Sequence, residues 1–313
     1  MTRLLKRAKE IGIRRFLKKA TFYDEVYAIG IRPKMEYING RINTSIPFSL
    51  LDENNDYWMA DPLLFNWNNK DWLFVELFDK ATHRGSIALI DPDSPTGRKT
   101  PKNIINETYH MSFPMVFEWE DEYYMIPETS ENHSINLYKA KSMPDKWGLI
   151  KSFPTDGLVV DSVIIEKKSN QITILASETN PNNELQVRFV KYVISKANDD
   201  FTCTIEPPEQ VFNLNERNGG YPLSIDNQMY LVTQSSSDID YGINVSLSEF
   251  SGAKLTNKQI LNKTNIQING LSVENIIGIH TYSRGNTYEV IDVRYLRFDP
   301  LLNIRRVLRH FKK

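Results

Sequence analysis

Five short segments of this chain look alike, and their spacing limits the fold more than any other feature. They are Asp61-Pro-Leu-Leu-Phe65, Phe113-Pro-Met-Val-Phe117, Asp161-Ser-Val-Ile-Ile165, Tyr221-Pro-Leu-Ser-Ile225 and His280-Thr-Tyr-Ser283. Their first residues stand 52, 48, 60 and 59 positions apart. A repeat of this length predicts a propeller or a solenoid. Each segment runs into a turn rich in Asn, Asp, Lys, Ser or Gly and then into a β-rich return strand, such as Trp72-Leu-Phe-Val-Glu76 or Tyr124-Met-Ile-Pro-Glu128. Such turns between β-rich runs are hairpin signals. Third strands follow in four repeats, and Arg294-Tyr-Leu-Arg-Phe298 is the weakest candidate for the fifth. Helical signal is nearly absent between residues 55 and 298, which disfavours a helical solenoid.

The expected fold is therefore all-β: a five-bladed β-propeller with short basic helical N- and C-terminal extensions. The expected boundaries are 1–22 for a basic amphipathic helix, 23–299 for the propeller and 300–313 for a basic C-terminal helix. Glu25-Val-Tyr-Ala-Ile-Gly30 reads as a strand that completes the last blade. Closing the ring in this way removes an edge open to aggregation.

Composition excludes several function classes. Net charge is −1 over 313 residues, so no global field draws the chain to nucleic acid. Cys203 is the lone cysteine, which rules out a disulfide framework within the chain and fits a reducing compartment. It reads as a strand residue. The five histidines show no zinc spacing, and there is no glycine-rich phosphate loop. No metal or cofactor is expected. Asp91-Pro-Asp93 has the form of a metal-nucleotide motif but lies in a Pro-rich loop outside any nucleotide-binding pattern. The basic start lacks the apolar core of about 7–15 residues that marks a secretory signal. No run reaches the roughly 18 apolar residues of a membrane span. The cytoplasm is the expected compartment, with both basic amphipathic ends suited to the cytoplasmic membrane face.

In a propeller the innermost strand of each blade lines the channel, and residues at its start face one mouth. Asp61, Ser112 with Phe113, Asp161, Tyr221 and His280 hold those positions. Carboxylates on apolar strands are costly without partners or function, although an Asp at a strand start can also serve as a turn or structural hydrogen-bond acceptor. Return strands add Glu76, Glu128, Gln234 and Asp292, while His110 and Arg217 enter blades two and four. Gly219-Gly220 admits a closely approaching ligand or forms a β-bulge. Paired carboxylates suit acid/base chemistry on a sugar, and Arg or His suits a phosphate or sugar carboxylate. Arg217 has a second reading, as the ion-pair partner of Asp161.

Taken in order, Trp58-Met-Ala-Asp-Pro62, Phe74-Val-Glu76, His110-Met-Ser-Phe-Pro114, Tyr124-Met-Ile-Pro-Glu128, Val160-Asp-Ser162, Gly219-Gly-Tyr-Pro222, Tyr241-Gly242 and Gly278-Ile-His-Thr281 form a specific set. The set resembles the N-terminal region of glucosamine inositolphosphorylceramide transferases and its bacterial relatives, over roughly residues 55–295. That region is similar to the propeller of family 43 glycoside hydrolases. The likeness implies a base at Asp61 and an orienting, pKa-tuning carboxylate at Asp161. The blade-four acid of those hydrolases has only Glu216 and Gln234 as nearby counterparts, so Glu128 stands in as the second catalytic carboxylate.

The resulting expectation is a glycosyltransferase of bacterial cell-surface polysaccharide biosynthesis. Asp61, Asp161 and Glu128 would be catalytic, and Trp58, Glu76, His110, Arg217, Tyr221, Gln234 and His280 would bind substrate. Its partners would be a phosphorylated sugar donor and a glycan or lipid-linked acceptor. The alternatives are a furanosidase- or pentosidase-like hydrolase and a non-catalytic glycan-binding partner of a transferase.

Overall fold

The computed structural model describes residues 15, 18 and 21–310, apart from 39, 53, 95–99, 181–182, 199, 207–215, 237–239 and 251–254. Most of the basic stretch 1–22, expected to be a helix, lies outside the described residues.

Five antiparallel sheets make the five expected blades. Blade one orders Tyr57–Trp67, Lys70–Asp79, Arg84–Ile90 and Lys102–Ile105 from the axis outward. Blade two uses Ser112–Trp119, Glu122–Glu128, Ser134–Ser142 and Lys146–Pro154. Blade three uses Leu158–Lys168, Gln171–Asn180, Asn183–Ala197 and Asp200–Ile205. In blade four the inner strand is broken into Glu216–Asn218 and Leu223–Ile225, followed by Gln228–Ser235, Asn244–Phe250 and Leu255–Leu261.

Blade five joins both ends of the chain. Its broken inner strand, Ile276–Gly278 and Tyr282–Arg284, pairs with Tyr288–Phe298, which pairs with Tyr23–Pro33 from Tyr23↔Phe298 to Pro33↔Tyr288. The early strand therefore closes the ring as its sequence predicts. One assignment changes. Arg294–Phe298 continues the second strand rather than forming a third, because the N-terminal segment already occupies that hydrogen-bonding edge. A helix over Leu302–His310 follows.

The core is divided into wedges between blades. Phe74, Ile87, Val116 and Met125 pack between blades one and two. Phe117, Ile135, Ile174 and Ile194 do the same for blades two and three. Alternation along each strand presents one set of side chains to each neighbouring blade, so both sheet faces are covered.

Each inner strand bends at the repeated position. Blades one to three carry register shifts between Ala60 and Leu63, Ser112 and Met115, and Val160 and Val163. At these bulges Asp61, Phe113 and Asp161 have φ of 48°, 45° and 50°. Aspartate tolerates this left-handed conformation better than most residues. Phe113 is compensated by its N–H, which donates to Asp61 Oδ2 at 3.2 Å. In blade four the break falls at Gly219-Gly220. A Cβ on Gly219 would lie 2.7 Å from His280 O, and one on Gly220 would overlap Tyr282 O. These glycines serve the contact between blades four and five, where the Tyr282 N–H donates to Gly219 O at 2.9 Å. That contact accounts for them without a ligand.

Candidate functional site

The bulges at Asp61 and Asp161 aim their side chains at one end of the channel, where two charged clusters meet, while Phe113 packs into the apolar core. The first joins blades one and five. Asp292 Oδ1 accepts the backbone N–H groups of His280 and Thr281, each at 2.9 Å, and Asp292 Oδ2 accepts that of Asp61 at 3.2 Å. His280 Nδ1 lies in close contact with Asp292 Oδ2, and its Nε2 is 3.7 Å from Asp61 Oδ1. The Thr281 hydroxyl donates to the same Asp61 oxygen at 3.1 Å. Tyr27, from the ring-closing strand, stacks on His280 with ring centres 5.1 Å apart, and Tyr241 meets it edge-on at 5.3 Å.

Burial pushes the Asp61 carboxyl up to about 6; His280 opposes this shift, while Asp292 and Asp161 add to it. Burial alone would lower the His280 pKa, but the facing Asp292 carboxylate overrides it and holds the imidazole above its usual value. The favoured arrangement is an imidazolium between two carboxyl groups. Asp61 titrates close to neutrality, which suits a general base.

The second cluster joins blades two, three and four. Arg217 Nε donates to Asp161 Oδ2 at 2.6 Å, and its Nη2 donates to Glu128 Oε2 at 3.3 Å. Gln234 Nε2 donates to Asp161 Oδ2 at 3.2 Å, and the Ser130 hydroxyl donates to Glu128 Oε1 at 2.9 Å. Asn218 Nδ2 donates to the Asp161 backbone oxygen at 2.7 Å, which ties the bulge to blade four. The Arg217 guanidinium sits 5.0 Å over the Tyr241 ring. Burial raises the Asp161 pKa to about 7 despite the neighbouring Arg217 charge, and Glu128 raises it further. Arg217 itself is desolvated, but Asp161 holds it well above its ordinary value.

A third pair flanks these clusters. The His110 Nδ1 accepts the Gly85 N–H at 2.9 Å, so the proton of neutral His110 resides on Nε2, 3.4 Å from Glu76 Oε1. Burial lowers the His110 pKa and raises that of Glu76 well above normal, with Asp61, Glu128 and Asp292 adding to the latter. Burial thus favours the neutral form of both groups at this pair.

The structure thus brings Asp61, Asp161, Glu128, Arg217, His280, Gln234, Glu76 and His110 into one region. It does not bring Tyr221 there. Its hydroxyl donates to Val116 O at 2.8 Å and accepts the Val116 N–H at 3.0 Å. It lines a cavity of about 440 Å³ at the opposite mouth, with Phe65, Met115, Ile164 and Arg284. The displacement follows from the Gly219-Gly220 break, beyond which Tyr221 has already passed the bend. Trp58 is near the site, but its ring stacks on Phe78 at 4.2 Å and meets Tyr27 at 5.0 Å. Its faces serve neighbouring rings and offer no open platform to a sugar.

Sequence reading passed over Asn218, Tyr27 and Tyr241 as site residues. Tyr241-Gly242 stood in the motif set, and Gly242 is required because a Cβ there would lie 2.8 Å from His280 Cβ at a φ of +59°. Tyr27 carries no sequence signal, because only ring closure brings it to the axis. Asp292 was visible on the return strand without a role; it organises three backbone N–H groups.

Asp61, His280 and Asp292 place ligand atoms within 4.8 Å of one another, a set that can hold a cation. Their lone pairs are already engaged by Thr281 and by the three backbone N–H groups, so the arrangement needs no ion to hold it. Asp91 and Asp93 are structural: Lys70 pairs with Asp91 at 2.7 Å, and the Tyr288 hydroxyl donates to Asp93 at 2.6 Å.

Comparison with known proteins fits this architecture. The family model described as "Glucosamine inositolphosphorylceramide transferase 1, N-terminal" matches residues 50–303. The chain is 27% identical over 201 residues to glucosamine inositolphosphorylceramide transferase 1 of Arabidopsis thaliana, covering 61% of this chain and 25% of that protein. With the protein of the same name from Oryza sativa subsp. indica it shares 26% over 207 residues, covering 64% and 27%. The chain thus spans about a quarter of the length of these relatives. Among solved structures, the catalytic domain of the GH62 α-L-arabinofuranosidase of Coprinopsis cinerea superposes with a TM-score of 0.52 at 10% identity, covering 88% of this chain and 97% of that one. At that identity the likeness concerns the fold.

Proposed function

The chain belongs to the glucosamine inositolphosphorylceramide transferase N-terminal family, and from that premise we propose that its axial site binds the acceptor sugar of a glycosyl transfer and activates one hydroxyl. Asp61 takes the proton of that hydroxyl. The freed oxygen forms a bond to the anomeric carbon of the donor, and the bond from that carbon to the donor's phosphate oxygen breaks, its electrons leaving with the phosphate. His280, held by Asp292, orients Asp61 and steadies its charge. Asp161, Glu128 and the Oε1 of Gln234 offer hydrogen-bond acceptors to the remaining sugar hydroxyls, the Gln234 amide N–H groups being taken by Asp161 and Asn218.

The observation that carries this reading is the pairing of Asp61, raised to about 6, with an imidazole anchored on its far side by Asp292. One part of the sequence expectation is not kept. Arg217 already bonds Asp161 and Glu128, so its guanidinium is engaged by carboxyl groups and is not held open for a phosphate. The donor's phosphate is therefore assigned away from Arg217.

The test uses the full chain with sugar-nucleotide donors and glycan acceptors, with products read by mass spectrometry. D61N should lower turnover about 10²–10⁴-fold and leave acceptor affinity within a few-fold. Wild-type turnover in D61N would remove Asp61 as the base. Sugar binding without any product would make the site a glycan-binding module, and release of free sugar from aryl glycosides would make it a hydrolase.

A further inference from the structure

The outer end of blade five leaves an apolar surface that the axial site does not use. Phe22, Phe298, Leu301, Ile304 and Val307 are between 46% and 59% exposed. Phe298 meets Phe22 and Tyr23 edge-on, at 6.4 and 5.5 Å. The helix Leu302–His310 is fixed to the propeller beside them. Leu302 is buried, Asp299 caps the first turn by accepting the Leu301 N–H at 3.0 Å, and Arg305 Nη1 donates to Asp299 Oδ2 at 2.9 Å. Leu301, Ile304 and Val307 recur every third residue and so share one face. Scattered exposed hydrophobes are ordinary, but a joined group of this kind marks an interaction surface.

Charge selects the partner. Residues 300–313 include Arg305, Arg306, Arg309, Lys312 and Lys313 and no acid. Arg306 is exposed. An apolar face on a helix whose charged residues are all basic complements an anionic lipid surface.

Topology gives the orientation. The blade-one strand Tyr57–Trp67 enters from the carboxylate mouth, and the blade-five strand Tyr288–Phe298 leaves toward the same side. Two contacts tie the strand ends together there: Arg297 Nη1 donates to Asn54 O at 3.0 Å, and Lys80 Nζ to Asp24 at 2.7 Å. Phe298 lies six residues beyond Asp292, about 20 Å along the strand.

We propose that the apolar face formed by Phe22, Phe298, Leu301, Ile304 and Val307 docks on an anionic bilayer, with Arg306 on the polar side of the same helix and the carboxylate mouth turned toward the lipid. The docking is independent of the chemistry assigned to Asp61.

The full chain is floated with vesicles of phosphatidylcholine alone or mixed with phosphatidylglycerol. Binding is expected to the mixed vesicles only, and to weaken as salt is added. I304E/V307E changes exposed side chains, so its circular dichroism should match the wild type while vesicle affinity falls roughly 100-fold or more. R306E should lower affinity less. Absence of binding to the mixed vesicles, or equal binding by I304E/V307E, overturns the proposal. So does a wild-type dimer that I304E/V307E dissociates in the absence of lipid binding, since that assigns the face to a second copy. Binding abolished by deleting residues 1–14 but kept by I304E/V307E overturns it as well, by moving the contact to the other end.

Discussion

Asp61 and Asp161 occupy equivalent bulges in blades one and three, with φ of 48° and 50°, yet one faces an imidazole and the other a guanidinium. Burial raises both pKa values. The partners set what each carboxyl can do next. Asp61, raised to about 6, and its imidazole partner can both exchange a proton, so the Asp61 cluster can change its charge during a reaction. Arg217 keeps its charge at any working pH, so the Asp161 cluster holds a permanent cation beside a carboxyl raised to about 7, and it shapes the mouth and binds hydroxyls. One backbone device, repeated, yields a half whose cation can titrate and a half whose cation is permanent.

The largest expected effect comes from breaking the half with the permanent cation. R217M leaves Asp161 and Glu128 adjacent without their cation. Removing one partner of a buried pair costs about 3–5 kcal/mol, to be read as a lower urea midpoint with an unchanged m-value. R217M/D161N should recover part of that loss, because it also removes a stranded charge. If R217M unfolds at the wild-type midpoint, the two halves are not distinguished in the way described.

A pH series on D61N sharpens the other half. The Asp61 pKa rises from 3.8 to about 6 in the folded state. Above 3.8 the unfolded chain ionises while the folded chain keeps its proton, so wild-type stability falls as pH rises and levels off beyond about 6. The amide of D61N does not titrate and lacks this dependence. Denaturation across that window should show wild type losing about 2–3 kcal/mol relative to D61N. Parallel pH curves for the two proteins would show that folding leaves the Asp61 pKa unshifted.

The smallest effect probes the support of His280. G242A forces a side chain into φ +59° and to within 2.8 Å of His280 Cβ. A cost of about 1–2 kcal/mol is expected, visible as a lower melting temperature. Any accompanying loss of turnover should exceed what that small unfolding explains, because the imidazole moves away from Asp61. A change confined to stability would separate Gly242 from the base.

The propeller was legible in the residues because its signals are local. Alternating β-rich runs, Asn- and Asp-rich turns and five similar segments each report on a few neighbouring positions. Asp61 and Asp161 were legible for the same reason, as polar residues recurring at one place in the repeat. Tyr221 occupied that place too, but a break at two glycines shifted the local register and carried its hydroxyl to Val116. Trp58 had the chemistry of a sugar platform, yet Phe78 and Tyr27 cover its ring. No local pattern foretells such packing.

Local patterns in the chain set the blade count, the closing strand over residues 25–30 and the two repeated aspartates, since strand, turn and repeat are properties of short segments. The partners of those aspartates came from the folded ring. Asp61 and Asp292 are separated by 231 residues, as are Glu128 and Arg217 by 89, and ring closure alone brings each pair within bonding distance. That closure also desolvates the carboxyls, which moves Asp61 and Asp161 toward neutrality and gives an otherwise ordinary pair of aspartates a chemical role.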